Sequence, residues 1–186
     1  LTKSPGVFDY KKREWFNGQY IRQKSDAELK VLILPYLQRE GIVSDPVTPD
    51  EETILDGMMP LVKERIRLLS EAPETCRFLF QEVAVEDPAE LVPKKLDEKG
   101  TLEALRAARK LLDGFEDRSD EENEELFRAK AEELEMKLGS LLMPLRIAVT
   151  GSSASPPLFG SIRLLGVDKA KVRVEKAIAT MQKKVG

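Results

Sequence analysis

SDAELKVLILPYLQREG, residues 25–41, is the stretch from which the fold class is read. Ser25 and Glu28 stand at the spacing of a capping box, in which the hydroxyl takes the N–H of the third helical residue and the glutamate reaches back to the cap. Leu29, Leu32, Ile33, Tyr36 and Leu37 then recur at helical spacing, and Gly41 stops the run. Pro35 lies inside it, so a kink or an early break is expected there. The same punctuation repeats downstream. Asp45-Pro46 and Thr48-Pro49 form a linker, and Thr48 with Glu51 makes a second box with Pro49 at the first helical position. Ile54 to Leu69 reads as a helix through Met58, Leu61, Val62 and Ile66, with a bend expected at Pro60. Pro73 begins a short helix holding Cys76, Phe78, Leu79 and Phe80. Upstream, Phe8 to Arg22 carries Phe8, Trp15, Phe16 and Tyr20, weakened at Gly18.

Beyond residue 80 the pattern loosens and resumes. Residues 81–86 alternate without a partner strand, which predicts an extended linker and a domain boundary. Leu102 to Leu112 reads as a helix, and Ser119 with Glu122 caps a long acidic one bearing Leu126, Phe127 and Leu134. Ser140 to Val149 is a short apolar helix with Pro144 and Arg146. Ser155-Pro156-Pro157 reads as a fresh N-terminus leading through Leu158, Phe159, Ile162 and Leu165 to Gly166, and Asp168 as the cap of the last helix. The expected fold class is all-α, in two small helical domains.

The 186 residues contain no histidine and one cysteine, Cys76. The commonest general base and metal ligand is thus absent, and neither an internal disulfide nor a cysteine-cluster zinc site can form. Cys76 beside Phe78 and Leu79 reads as a buried thiol. Gly151-Ser152-Ser153 lacks the lysine of a phosphate loop, and Glu121-Glu122 and Glu132-Glu133 are adjacent, so neither pair clamps a metal well. No catalytic or metal-binding residue is expected. No apolar run reaches the roughly 18 residues of a membrane span, which points to a soluble, cytoplasmic chain. Leu1 stands where a start methionine would, so the expectation is a piece of something longer.

Charge is unevenly distributed. Residues 81–135 carry 9 bases and 18 acids, whereas residues 136–186 carry 9 bases and 2 acids. The basic segment suits a polyanion; equally, the acidic segment can neutralise it across a helix interface. Lys169, Lys171, Arg173 and Lys176 on the last helix are open to either reading.

Three collinear blocks carry a resemblance. The first is Lys3-Ser4-Pro5-Gly6-Val7-Phe8-Asp9, continued by Glu14-Trp15-Phe16-Asn17-Gly18-Gln19-Tyr20-Ile21-Arg22. The second runs from Leu61 to Phe80 and includes Glu71-Ala72-Pro73-Glu74 and Arg77-Phe78-Leu79-Phe80. The third is Pro144-Leu145-Arg146-Ile147-Ala148-Val149-Thr150-Gly151, then Ser155-Pro156-Pro157-Leu158-Phe159 and Leu164-Leu165-Gly166. Together they resemble the C-terminal half of bacterial glutamyl-tRNA synthetases. Arg13 and Gly6 depart from the family pattern. The histidine-containing signature and KMSKS-like loop of the family's catalytic part are missing, as expected of an excised fragment.

The resemblance implies a helical cage of two anticodon-binding subdomains, residues 26–80 and 81–186, preceded in 1–25 by the end of the stem-contact segment. It implies tRNA(Glu) as partner, through the anticodon loop and stem, with Arg65, Arg146, Ser155, Pro156 and Leu158 as anticodon contacts. It implies a monomer. ATP and Mg belong to the parent's absent catalytic domain, and the fragment needs no cofactor of its own. At Arg65 the resemblance implies discrimination of the third anticodon base. Phe159 and Trp15 read as packing residues. The competing class is a helical protein-interaction module that docks through its acidic and basic faces.

Overall fold

Residues 17–186 are described by a computed structural model, in which every regular element is a helix or a 3-10 turn. The sequence readings at Phe8, Trp15 and Phe16 lie outside the described residues. The described chain divides between Gln81 and Glu82 into two compact units.

In the first unit, residues 17–23 are helical (α1), followed by α2 (Asp26–Arg39), α3 (Pro49–Arg65) and α4 (Ala72–Cys76). Both capping boxes form: Ser25 Oγ accepts from Glu28 N–H at 3.1 Å, and Thr48 Oγ1 from Glu51 N–H at 3.2 Å. Neither Pro35 nor Pro60 ends its helix. Each lies on an exposed position, where water can serve the carbonyl that loses its N–H donor. The expected early break at Pro35 is therefore absent, and α2 runs on to Arg39. α3 ends earlier than the apolar spacing suggests. Ile66 turns extended and is buried, and the Glu71 carboxylate accepts the N–H groups of Arg67 and Leu68, so the chain leaves the helix there instead of at Leu69. Leu29, Ile33, Leu37, Leu55, Met58 and Val62 form the buried seam of this unit. Lys63–Asp26 and the pairs of Lys30 with Glu52 and Asp56 bridge α2 and α3 at its edge. Cys76 is fully buried, and burial pushes its thiol pKa up to about 12, so it stays a protonated packing group.

The second unit contains α5 (Glu98–Leu111), α6 (Asp120–Glu133), α7 (Leu138–Thr150), α8 (Leu158–Leu165) and α9 (Val167–Val185). Residues 82–87 carry no helix or strand. α5 starts at Asp97, whose carboxylate accepts from Gly100 N–H at 2.6 Å; this cap adds a turn before Leu102. α5 packs on α7 and α9, and α7 also on α6. Phe159 of α8 meets Phe115 edge-on at 5.3 Å and Phe127 at 5.5 Å, so its packing role holds. Asp168 does not cap α9: Gly166 precedes the helix and Asp168 lies in its first turn.

Two helices end in the same Schellman turn. After α2, Gly41 N–H bonds Gln38 O and Ile42 N–H bonds Leu37 O; after α6, Glu135 and Met136 N–H bond Glu132 O and Ala131 O. Gly41 takes φ +70° without cost, but Glu135 sits at φ +55° with a side chain. Glu135→Gly should therefore raise stability by about 0.5–1 kcal/mol, as measured by thermal or urea denaturation. A variant that melts at or below the parent's temperature contradicts that strain.

Candidate nucleic-acid interface

Four of the five sequence-predicted contacts come together in the second unit. α7 delivers Arg146, then ends at Gly151, whose φ of +76° turns the chain. A Cβ at Gly151 would lie 3.1 Å from Val83 Cγ1, so glycine is favoured there by conformation and by space. Thr150 shapes the turn: its hydroxyl lies 2.8 Å from Arg146 O and 2.9 Å from Ser152 O, and accepts from Ser152 N–H at 3.2 Å.

The half-buried Arg146 side chain then holds the loop that follows. One guanidinium nitrogen, Nη1, donates to Ser155 Oγ at 2.5 Å and Pro156 O at 2.9 Å, with Ser155 O at 3.4 Å. Ser155 is therefore not the N-cap that the sequence suggests. Its hydroxyl is buried, accepts from Arg146, and lies 3.2 Å from Pro156 O, to which it donates. Pro157 is the cap residue of α8, with no side-chain cap bond. Pro156 and Leu158 are buried too, whereas Pro157 is exposed. What faces outward here is the Pro157 ring, the exposed part of Arg146 and an uncapped helix start, whose free N–H groups suit an anion or a base oxygen.

Arg65 belongs to the other unit. It is the last residue of α3 and half-exposed. Of the acids that could have neutralised it, Glu64 makes no ion pair with it, and Glu71 is engaged with the N–H groups of Arg67 and Leu68. Among the described residues its guanidinium makes no hydrogen bond or ion pair.

The basic segment is partly neutralised by the acidic one. Lys171 pairs with Asp113 at 3.0 Å, and Arg109 bridges Asp113 and Glu175 at 3.1 and 2.8 Å. Lys171 and Arg109 hold the Asp113 carboxyl below its ordinary pKa. Arg163 binds Asp120 at 2.9 Å, donates to Arg118 O at 2.8 Å and lies over the Phe115 ring. Arg173, open in the sequence to a polyanion or to the acidic segment, is instead buried and donates to Val149 O at 2.6 Å; burial lowers its pKa. Lys169 and Lys176 are exposed and make no ion pair among the described residues. Sequence reading missed Thr150 and Ser152 as organisers of the loop. Hydroxyls flanking Gly151 were the available signal, and testing that stretch only as a phosphate loop passed over it.

The chain matches the anticodon binding domain family over residues 28–178. It is 44% identical to the glutamate–tRNA ligase of Treponema denticola, covering 96% of this chain and 39% of that protein. It is 41% identical to that of Borreliella burgdorferi, covering 95% and 36%. The chain thus spans well under half the length of these relatives. In fold it resembles the crystal structure of a glutamate tRNA ligase from Elizabethkingia meningosepticum in complex with its amino acid, with a TM-score of 0.57 at 23% identity, covering 90% of this chain and 32% of that one. With a family match running from α2 into α9, the chain belongs to the anticodon-binding domain family.

Proposed function

We propose that the chain is the tRNA anticodon-recognition part of a glutamate–tRNA ligase, with subdomains at residues 26–80 and 81–186 and the end of a stem-contact segment in 1–25. The observation that carries this reading is the Arg146 grip on Ser155 and Pro156 beside the uncapped start of α8, in a chain of this family. Bases of a single-stranded loop are recognised splayed out, against flat or apolar surfaces and through their Watson–Crick edges. Pro156 and Leu158 shape such a surface from beneath, Ser155 fixes it, and Arg146 positions it while presenting positive charge. Arg65 supplies the second contact.

The remaining parts of the ligase reaction lie outside this chain in our reading. Glutamate activation uses ATP and Mg, but no group of three or more His, Cys, Asp or Glu among the described residues could hold a metal ion. None of the described residues is assigned to that chemistry. The partner is tRNA(Glu), bound by a monomer in the cytoplasm. No described helix is long and apolar enough to cross a membrane.

Arg65 has a legible task. The glutamate and glutamine anticodons differ at the third position, C against G. The cytosine edge offers acceptors to a guanidinium, whereas guanine presents donors, and facing donors leave groups unpaired at about 1–3 kcal/mol each. A guanidinium that no acid holds among the described residues is available for this. Arg65→Gln should therefore narrow a roughly tenfold to hundredfold preference for C over G, mainly by admitting G. Binding of both proteins to tRNAs differing only at that base measures it. An equal preference in parent and variant removes Arg65 from the site.

Arg146 is expected to act differently. Arg146→Ala leaves the Ser155 and Pro156 acceptors short of a donor, so thermal stability and tRNA affinity should fall together, each by about 1–3 kcal/mol. Arg146→Lys restores charge without the planar fork and should recover only part of either. Weakened binding at an unchanged melting temperature would make Arg146 a base contact and not a positioning residue.

A further inference from the structure

We propose that Lys169, Lys176 and Lys183 form a row on α9 that follows the phosphate backbone of the bound RNA, away from base recognition; this rests on the tRNA reading above. Val167, Ala170, Val174, Ala177 and Met181 turn one face of α9 into the core. The three lysines stand seven residues apart on the outward side. A straight α-helix drifts only about 20° per heptad, so they share one stripe. Neighbours in the row are ~10.5 Å apart and the whole row spans about 21 Å.

Three observations separate this stripe from an ordinary solvated face. First, Lys171 is committed to Asp113 and Arg173, buried, to Val149 O, while Lys184 stands beside Lys183 but about 100° round the helix, off the row. The lysines of the row are exposed and make no ion pair among the described residues. Second, the two acids of the helix lie off the row. Asp168 is in the first turn, and Glu175 is bound by Arg109. Third, Val172, Ala179 and Thr180 are the accessible residues between the lysines along the stripe, Arg173 being buried, and no aromatic residue accompanies them. A protein-binding surface is built on apolar and aromatic anchors and is depleted in lysine. A ladder of flexible point charges without anchors suits phosphates, which demand charge and no base-edge geometry.

One local feature opposes the row and makes it testable. Lys176 shares a cleft of about 460 Å³ with Glu82 and Glu86, in segment 82–86. Both carboxylates lower the positive potential at the middle of the row without pairing with Lys176.

The test uses the 186-residue chain and a glutamate tRNA transcript. Binding is measured from dilute to physiological salt for the parent, for Lys169→Gln/Lys176→Gln/Lys183→Gln and for Glu82→Gln/Glu86→Gln, with circular dichroism on each. The triple variant should keep its helicity and its C-over-G preference. It should flatten the slope of log K against log salt by about 0.7–0.9 per lysine, or about two to three in all. The double Gln variant should bind more tightly. If the triple variant fails to fold, Lys169→Gln and Lys183→Gln singly should each remove about one such step. A parent that binds tRNA while the variants keep its slope overturns the row but leaves the anticodon reading standing. A parent that binds no tRNA overturns both. If the triple variant instead loses a ribonuclease-insensitive protein partner at unchanged tRNA slope, the row is a protein surface and the proposal fails.

Discussion

Arg146 holds consecutive residues of one loop through a single guanidinium nitrogen, and the geometry of the interface follows from that grip. Buried acceptors need donors, and Ser155 and Pro156 find theirs on α7. With those two residues fixed, α8 can begin only at Leu158, which sets Phe159 between Phe115 and Phe127 and buries Ile162 and Leu165. Gly166 alone separates α8 from α9, at φ +104°, so the direction of α9 is set within one residue of the end of α8. The loop proposed to face a base and the lysine-bearing helix are therefore two consequences of one anchored turn.

Charge is shared out along the same framework. Asp113, Glu175 and Asp120 meet Lys171, Arg109 and Arg163, and these contacts lie where helices of the second unit approach one another. Exposed pairs of this kind contribute about 0–1 kcal/mol each, so their larger effect is selective: they decide which cations remain for a ligand. Among the described residues Lys169, Lys176, Lys183 and Lys184 on α9 make no ion pair, nor does Arg65 in the first unit. The mild net charge of −3 conceals both groups.

Much of the fold was legible because helix starts are written locally. Ser25–Glu28, Thr48–Glu51 and Ser119–Glu122 announce three helices through bonds spanning three residues, and all three boxes form. Where the outcome depends on distant partners, the sequence misleads. Ser155 has the composition of a cap but lends its hydroxyl to Arg146, nine residues earlier in the chain. Arg173 has the look of a surface cation, yet an α7 carbonyl takes it into the interior. α3 ends at Arg65 because Glu71 captures the next two N–H groups, a competition that apolar periodicity does not register. The residue types of the candidate site stand in the sequence; which of them hold the loop, as Arg146 and Ser155 do, is visible only in the fold.

The central claim is that this chain reads an anticodon. Nucleotide-resolution footprinting of a glutamate-accepting tRNA, with and without the chain, tests it most directly. The account predicts protection concentrated on the three anticodon nucleotides, with weaker backbone protection beside them and an acceptor end as accessible as in free tRNA. An anticodon that stays fully reactive while the chain is bound would contradict it.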